Sequence, residues 1–239
     1  MKQRLDKALV ERGLAPTRSQ AESMIKLGQV KVNGRIVNKN GTIVSETDQI
    51  LSTNSDQYVG RAGLKLASVA DKLGLDFRHK TVLDVGSSTG GFTDYALQHG
   101  TKKVIAVDVG TDQLHPSLRQ DRRIELHEKT DIRDFTTNQV IDIVVADVSF
   151  ISLREILPSV VKLCNPQTQL AVMVKPQFEA RHDNLKHKGV IKNDKLRREI
   201  LQNFEDWARQ HFVVIAKADS DIAGGKGNRE RFYLLKPLA

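Results

Sequence analysis

The sequence predicts an α/β protein, a doubly wound and mostly parallel sheet preceded by a small α+β module. Three observations predict it. Residues 1–56 carry two short amphipathic helical patterns and a hairpin signature. A strand, a glycine-bearing loop, a helix and a second strand follow one another through residues 81–91 and 104–108. From there, apolar runs and amphipathic stretches alternate to the C-terminus, the pattern of strands joined by crossover helices. The chain's 239 residues suffice for one full α/β core and a small extra domain.

In the first module, residues 4–13 place Leu5, Ala8 and Leu9 on one helical face and stop at Gly13. Residues 17–28 repeat the design, with Thr17 as cap, Ala21, Met24 and Ile25 as the apolar face, and Gly28 as the stop. Val30-Lys-Val and Arg35-Ile-Val alternate about Asn33-Gly34, a pair whose left-handed preference matches the twist of a tight hairpin. Ser52-Thr-Asn-Ser-Asp56 is polar and breaker-rich, so it reads as a linker, and the domains are expected at 1–56 and 57–239.

The second domain opens with a helix to about Leu73 that carries Lys65 just inside its start. A strand over 81–85 leads into Gly86-Ser-Ser-Thr-Gly90-Gly91, where the glycines permit a tight turn and close backbone approach to a ligand, and a helix follows over 92–97. Asp108 ends the next strand about 20 residues beyond the loop, where doubly wound sheets place an acid on ribose hydroxyls. The loop is neither G-x-G-x-x-G nor the lysine-bearing phosphate loop. With Asp84 ahead of the turn it suits a cationic or zwitterionic ligand better than a polyphosphate. S-adenosylmethionine, with its sulfonium and ammonium, is such a ligand; a ligand-free turn is the alternative.

Strands are expected over 141–147 and 169–175, ending in Asp147 and Lys175, with a helix over 156–163 between them. A helix over 195–211 and strands over 212–218 and 230–235 bring the strands named to six, and a sheet of seven strands with a terminal antiparallel pair is the expected layout. Ligands of open α/β sheets bind outside the carboxyl ends of the strands, so Asp147 and Lys175 should face the crevice of the glycine loop. Singly, Asp147 could cap the next helix and Lys175 could be a solvated residue before Pro176. Jointly they point to catalysis. Residues 180–189 are polar, basic and breaker-rich, a loop that could clamp RNA.

Composition narrows the partners. Lys and Arg number 37 against 29 Asp and Glu, a net charge of +8, and residues 1–56 hold nine basic against six acidic residues. Such an excess serves phosphate contacts but carries no base code. The single cysteine, Cys164, lies in an apolar segment and reads as a core thiol. The first residues, Met1-Lys-Gln-Arg-Leu-Asp-Lys, lack a signal-peptide core, and no run nears the roughly 18 apolar residues of a membrane span. A cytoplasmic location is therefore expected. The histidines show no metal-ligand spacing, and no metal is expected.

Two ordered motif sets carry a family resemblance. R-L-D-x-x-L, S-R-x-x-A-x-x-x-I-x-x-G-x-V-x-V-N-G and a late V-x-x-x-D-x-I resemble the alpha-L RNA-binding domain of ribosomal protein S-four and pseudouridine synthases. This implies an RNA groove using Arg4, Arg18, Lys26, Lys31 and Arg35. Lys65 in G-R-A-G-L-K-L, Asp147 in A-D-V-S-F-I-S-L, Lys175 in V-K-P-Q-F-E and Glu230 in G-N-R-E match the Lys-Asp-Lys-Glu tetrad of the FtsJ-type ribose 2′-O-methyltransferases. Gly60 and Ala62 depart from the S-R-G-G-L-K-L form. Over essentially its full length the chain is similar to the TlyA family, whose members are described as ribosomal RNA cytidine 2′-O-methyltransferases and, historically, as haemolysins.

The resemblance implies a Rossmann-like seven-stranded methyltransferase sheet behind a small N-terminal α+β RNA-binding domain. It implies S-adenosylmethionine held by Asp84, Gly86, Ser87, Ser88, Thr89, Gly90, Gly91, Phe92, Asp108, Asp131 and Asp147, with Asp131 at the adenine amino group. The implied partner is ribosomal RNA or a ribosomal subunit. A non-catalytic ribosome-assembly factor is the alternative, and the absence of an apolar membrane segment argues against direct lysis. A ribose hydroxyl is a poor nucleophile at neutral pH. Alignment of the reactants supplies the larger share of acceleration, roughly 7–11 kcal/mol at best, and a general base about 10²–10⁴-fold. A free lysine titrates near pH 10.4, so Lys175 is either a base made neutral by its surroundings or an electrostatic stabiliser of developing alkoxide charge.

Overall fold

A computed structural model describes residues 2–15, 18–26, 30–52, 58–180, 189–191, 193–224 and 227–238, the side chains of 19, 20, 23, 26 and 52 excepted. The chain divides into two compact units, Met1–Gln57 and Tyr58–Ala239.

The first unit contains β1 (Lys2–Arg4), α1 (Leu5–Glu11), α2 (Arg18–Lys26), β2 (Val30–Val32), β3 (Arg35–Ile36), β4 (Ile43–Ser45) and β5 (Ile50–Ser52). β1 pairs with β4, and β2 lies between β3 and β5, all antiparallel. The expected helix face is the core: Leu5, Ala8, Leu9, Ala21 and Ile25 pack with Val30 and Val44. Asn33 and Gly34 both take positive φ, 51° and 80°, the backbone of a type I′ hairpin turn. Asp6 is fully buried yet accepts from Arg4 Nε and Nη2 (3.0 and 2.9 Å) and from Arg18 Nε (2.9 Å). The Arg4 hydrogen bonds, opposed by burial and aided by Arg18, hold its carboxyl well below the usual range. The expected Thr17 cap, Gly28 stop and the linker from residue 53 onward lie outside the described residues.

The second unit runs α3 (Arg61–Leu73), β6 (Thr81–Val85), α4 (Gly91–Gln98), β7 (Lys103–Val107), α5 (Pro116–Arg119), β8 (Ile124–His127), β9 (Ile143–Ala146), α6 (Leu153–Val160), β10 (Gln169–Val174), α7 (Pro176–Glu179), α8 (Asp194–His211), β11 (Phe212–Asp219) and β12 (Arg231–Pro237). Its seven strands lie in the order β11-β12-β10-β9-β6-β7-β8. Five are parallel, and β12 runs antiparallel to both β10 and β11. Alternate residues feed two cores. Leu83, Val85, Val144, Ala146, Val172 and Val174 meet α6 and α8 on one face. Val82, Val104, Ala106, Val145, Ala171 and Met173 meet α3 and α4 on the other. Burial on both faces explains why these strands read as continuous apolar runs.

Two elements differ from expectation. One strand, β8, was not expected: its Ile-Glu-Leu-His alternates at a half-exposed edge without the β-branched run that marks the inner strands. α6 begins three residues earlier than expected because the Ser152 hydroxyl caps it by accepting from Arg154 N (3.1 Å), with Pro158 tolerated inside the helix.

Candidate active site

The turn after β6 is shaped by contact. Gly86 has φ 78°, and a Cβ there would stand 2.8 Å from the Asp147 carbonyl oxygen, so a side chain would push the loop off the end of β9. Gly91 serves packing: its Cβ would stand 2.8 Å from both the Ala62 Cβ and Gly63 N, where α4 closes on α3. Gly90 is the left-handed residue that starts α4, and Ser87 is buried between.

A cleft of about 380 Å³ opens beside this loop. Gly86, Ser88, Asp108, Asp131 and Asp147 line it, with Val107, Ile132 and Ile156 as apolar walls. Asp108 braces the loop: Oδ2 accepts from Ser88 N (2.8 Å) and Oδ1 from Gly110 N (2.7 Å). Lone pairs remain on both oxygens for a ligand hydroxyl. Asp131 accepts from the Arg133 guanidinium at 2.6–3.2 Å through both oxygens, which holds its carboxyl below the ordinary range. Phe92, expected beside the cofactor, lies in the core 5.9 Å from Phe232, filling the layer between α4 and the sheet, and its side chain is absent from the lining of both clefts.

Asp84 is also turned away from both clefts, buried beneath the loop, where Oδ2 accepts from Thr93 Oγ1 (2.7 Å). Burial pushes its carboxyl up to about 7, with the Thr93 hydrogen bond opposing and the negative charge of Asp147 assisting. The unfolded chain releases this proton near pH 3.9 and the folded chain near 7, so the stability it contributes is full below pH 4 and is lost as pH rises through 7. Asp84→Asn removes the titration. Between pH 5 and pH 8 the wild type should lose about 2–3 kcal/mol relative to this variant, read from urea melts at both pH values. Parallel pH dependence in the two proteins would disprove it.

A second cleft, of about 600 Å³, adjoins the first. Lys65, Thr89, Asp147, Lys175 and Glu230 all line it. Lys65 on α3 pairs with Glu230 Oε2 at 2.5 Å, with side chains only 8% and 3% exposed. Lys175 Nζ lies 2.5 Å from Asp147 Oδ1 and donates to Ser149 Oγ at 2.8 Å. The order of the sheet brings these four together. Asp147 and Lys175 follow the parallel strands β9 and β10, whereas Glu230 precedes the antiparallel β12, whose Arg231 is registered with Val174. Arg197 fixes that start by donating to the Arg229 carbonyl (2.9 Å) and Asp219 (3.0 Å).

Asp147, Ser149 and Phe150 line both clefts. Sequence reasoning quoted Ser149 and Phe150 without assigning them a role; the signal was a hydroxyl and an aromatic directly after a strand-ending acid. Phe150 is 92% exposed, holds φ 66° and stands 5.2 Å from the Phe178 ring. A bulky residue in the left-handed region costs about 1–3 kcal/mol, and such strain collects at functional sites. In the first unit, Lys31 and Arg35 sit on the hairpin, Arg4 and Arg18 share Asp6, and the Lys26 side chain lies outside the described set.

A doubly wound sheet with an antiparallel seventh strand, a glycine loop facing an acid at the next strand end, and a lysine–carboxylate cleft beside it define a nucleotide-cofactor methyltransferase fold. The model of the FtsJ-like methyltransferase family matches residues 58–236, and that of the S4 domain matches residues 3–50. The 16S/23S rRNA (cytidine-2'-O)-methyltransferase TlyA of Mycobacterium tuberculosis is 36% identical over 239 residues, spanning 98% of this chain and 89% of that protein. Hemolysin A of Brachyspira hyodysenteriae is 38% identical, spanning 95% and 97%. A solved structure from Streptococcus thermophilus that carries a hemolysin designation superposes with a TM-score of 0.77 at 35% identity, covering 99% of this chain and 88% of that one. The chain belongs to the TlyA family of FtsJ-like methyltransferases, with an S4 domain ahead of the catalytic fold. Among the described residues no helix is long and apolar enough to cross a membrane.

Proposed function

We propose that this chain transfers a methyl group from S-adenosylmethionine to the ribose 2′-oxygen of a cytidine in ribosomal RNA. The observation that carries the reading is the junction of the two clefts at Asp147, Ser149 and Phe150, with both lysine–carboxylate pairs facing the second. The first cleft fits the cofactor: apolar walls suit an adenine, Asp108 suits ribose hydroxyls, and Gly86 leaves a cradle that a Cβ would fill. Ser87 Oγ and Asp84 Oδ1 are buried beneath the loop without hydrogen-bond partners among the described residues, and Ser88, Thr89 and Gly90 complete that loop. When bound, the cofactor supplies a methyl group on a cationic sulfur, which keeps the bonding electron pair as the methyl passes to the ribose oxygen.

Lys175 donates to Ser149 and pairs with Asp147, leaving a third hydrogen for a ligand in the cleft it lines. That geometry supports stabilisation of charge developing on the attacking oxygen, with the hydroxyl proton passing to water. Lys65 adds a second positive charge, oriented by Glu230. Phe150 offers a face on which the target base stacks. The cytidine assignment follows the Mycobacterium tuberculosis relative, which is named for it. Transfer of labelled methyl to ribosomal subunits, followed by mapping of 2′-O-methyl sites, tests the reading. No transfer to any ribosomal substrate would favour the non-catalytic assembly factor.

Docking is assigned to the N-terminal unit, where Lys31 and Arg35 stand on the hairpin. A full-length Lys31→Ala, Arg35→Ala variant should bind rRNA more weakly, with a log–log salt slope shallower by about 2 and cofactor affinity unchanged. An unaltered slope would remove these two residues from the interface.

A further inference from the structure

We infer that Ser149 is a positioning residue for methyl transfer, acting through Lys175. This rests on the methyltransferase reading above. Lysine is a point charge on a flexible stem with three rotatable donors, so its pairing with Asp147 sets the distance of the ammonium but not its heading. Ser149 Oγ, 2.8 Å from Nζ, supplies the second acceptor that fixes it, and the Phe178 ring, 5.8 Å from Nζ, closes a third side. The remaining hydrogen then points where the other three neighbours are absent, into the cleft.

The step so assisted forms the oxygen–methyl bond, breaks the sulfur–methyl bond and releases the hydroxyl proton to water, and Ser149 enters it only by holding Lys175 in place. The mount is rigid. Glu179, with its side chain 1% exposed, accepts from Ser152 Oγ (2.6 Å) and Leu153 N (2.7 Å). It ties the loop that carries Ser149 to α7, which begins directly after Lys175. Both ends of the Ser149–Lys175 bond are therefore held by segments pinned to each other, the support a preorganised group requires.

The test is a cycle of full-length proteins assayed for labelled methyl transfer to ribosomal RNA. Ser149→Ala should lower kcat about 10- to 100-fold, with KM for RNA and cofactor affinity within about twofold of wild type. Ser149→Thr, which keeps the hydroxyl, should recover most of the rate. In a Lys175→Ala background, Ser149→Ala should cost nothing further, because residues that act as one unit are not additive. Wild-type kcat in Ser149→Ala overturns the inference, as does an equal loss in both backgrounds, which marks a merely structural role. Absence of transfer by the wild type would overturn this inference and the methyltransferase reading together, whereas normal wild-type transfer with an unaffected Ser149→Ala overturns this inference alone.

Discussion

Lys175→Ala should slow methyl transfer by about 10²-fold or more, the range for one catalytic group, while cofactor and RNA affinities stay near wild type. The expectation comes from where the ammonium stands: paired with Asp147, bonded to Ser149 and lining the cleft that adjoins the glycine loop. It acts on charge that develops only in the transition state, so kcat falls and ground-state binding does not. Lys175→Arg discriminates further. A permanent charge without the capacity to deprotonate should restore part of the rate if the lysine is an electrostatic stabiliser. Arg activity equal to that of Ala would favour a base or a strict geometric demand. Wild-type turnover in Lys175→Ala would remove this lysine from the mechanism.

Glu230→Ala should destabilise the fold by about 3–5 kcal/mol, the cost of leaving one member of a buried ion pair uncompensated. The pair is buried at both ends, with side chains 8% and 3% exposed, unlike the exposed Arg78–Asp76 bridge at 75% and 56%. Replacing both partners, as Lys65→Met with Glu230→Met, should recover most of the stability, because well-packed apolar groups replace the pair at little cost. Activity should not return. Urea melts and methyl transfer on the same three proteins separate the structural role of the pair from its chemical one. A Glu230→Ala protein as stable as wild type would show that water or rearrangement satisfies Lys65, and a double variant with full turnover would remove both residues from the site.

The readable part of this protein lay in local pattern. The hairpin was legible because Asn33-Gly34 is one of few pairs that accept two positive φ angles, and the inner strands because burial on both faces leaves unbroken apolar runs. Asp108, Asp147 and Lys175 were legible because a charged residue ending such a run marks the ligand edge of an open sheet. β8 was not, since an edge strand with half-exposed residues lacks that contrast. The burial of Phe92 in the core was not legible, because a residue directly after a glycine loop faces either ligand or core depending on which way α4 turns, and no local signal states that direction.

The sequence by itself therefore determined the α/β class, the glycine loop, the identity of the lysines and carboxylates and, through ordered motifs, the family. Only the tertiary structure decided the partners. Lys65 and Glu230 are 165 positions apart and meet at 2.5 Å because an antiparallel seventh strand is inserted beside β10. Asp108 is turned onto its own loop, Asp131 onto Arg133, and Ser149 onto Lys175. Pattern reports which faces are buried, a one-dimensional property of each element. Which side chains then share a hydrogen bond depends on how elements cross and where their ends coincide, and that is settled by packing between segments distant in the chain.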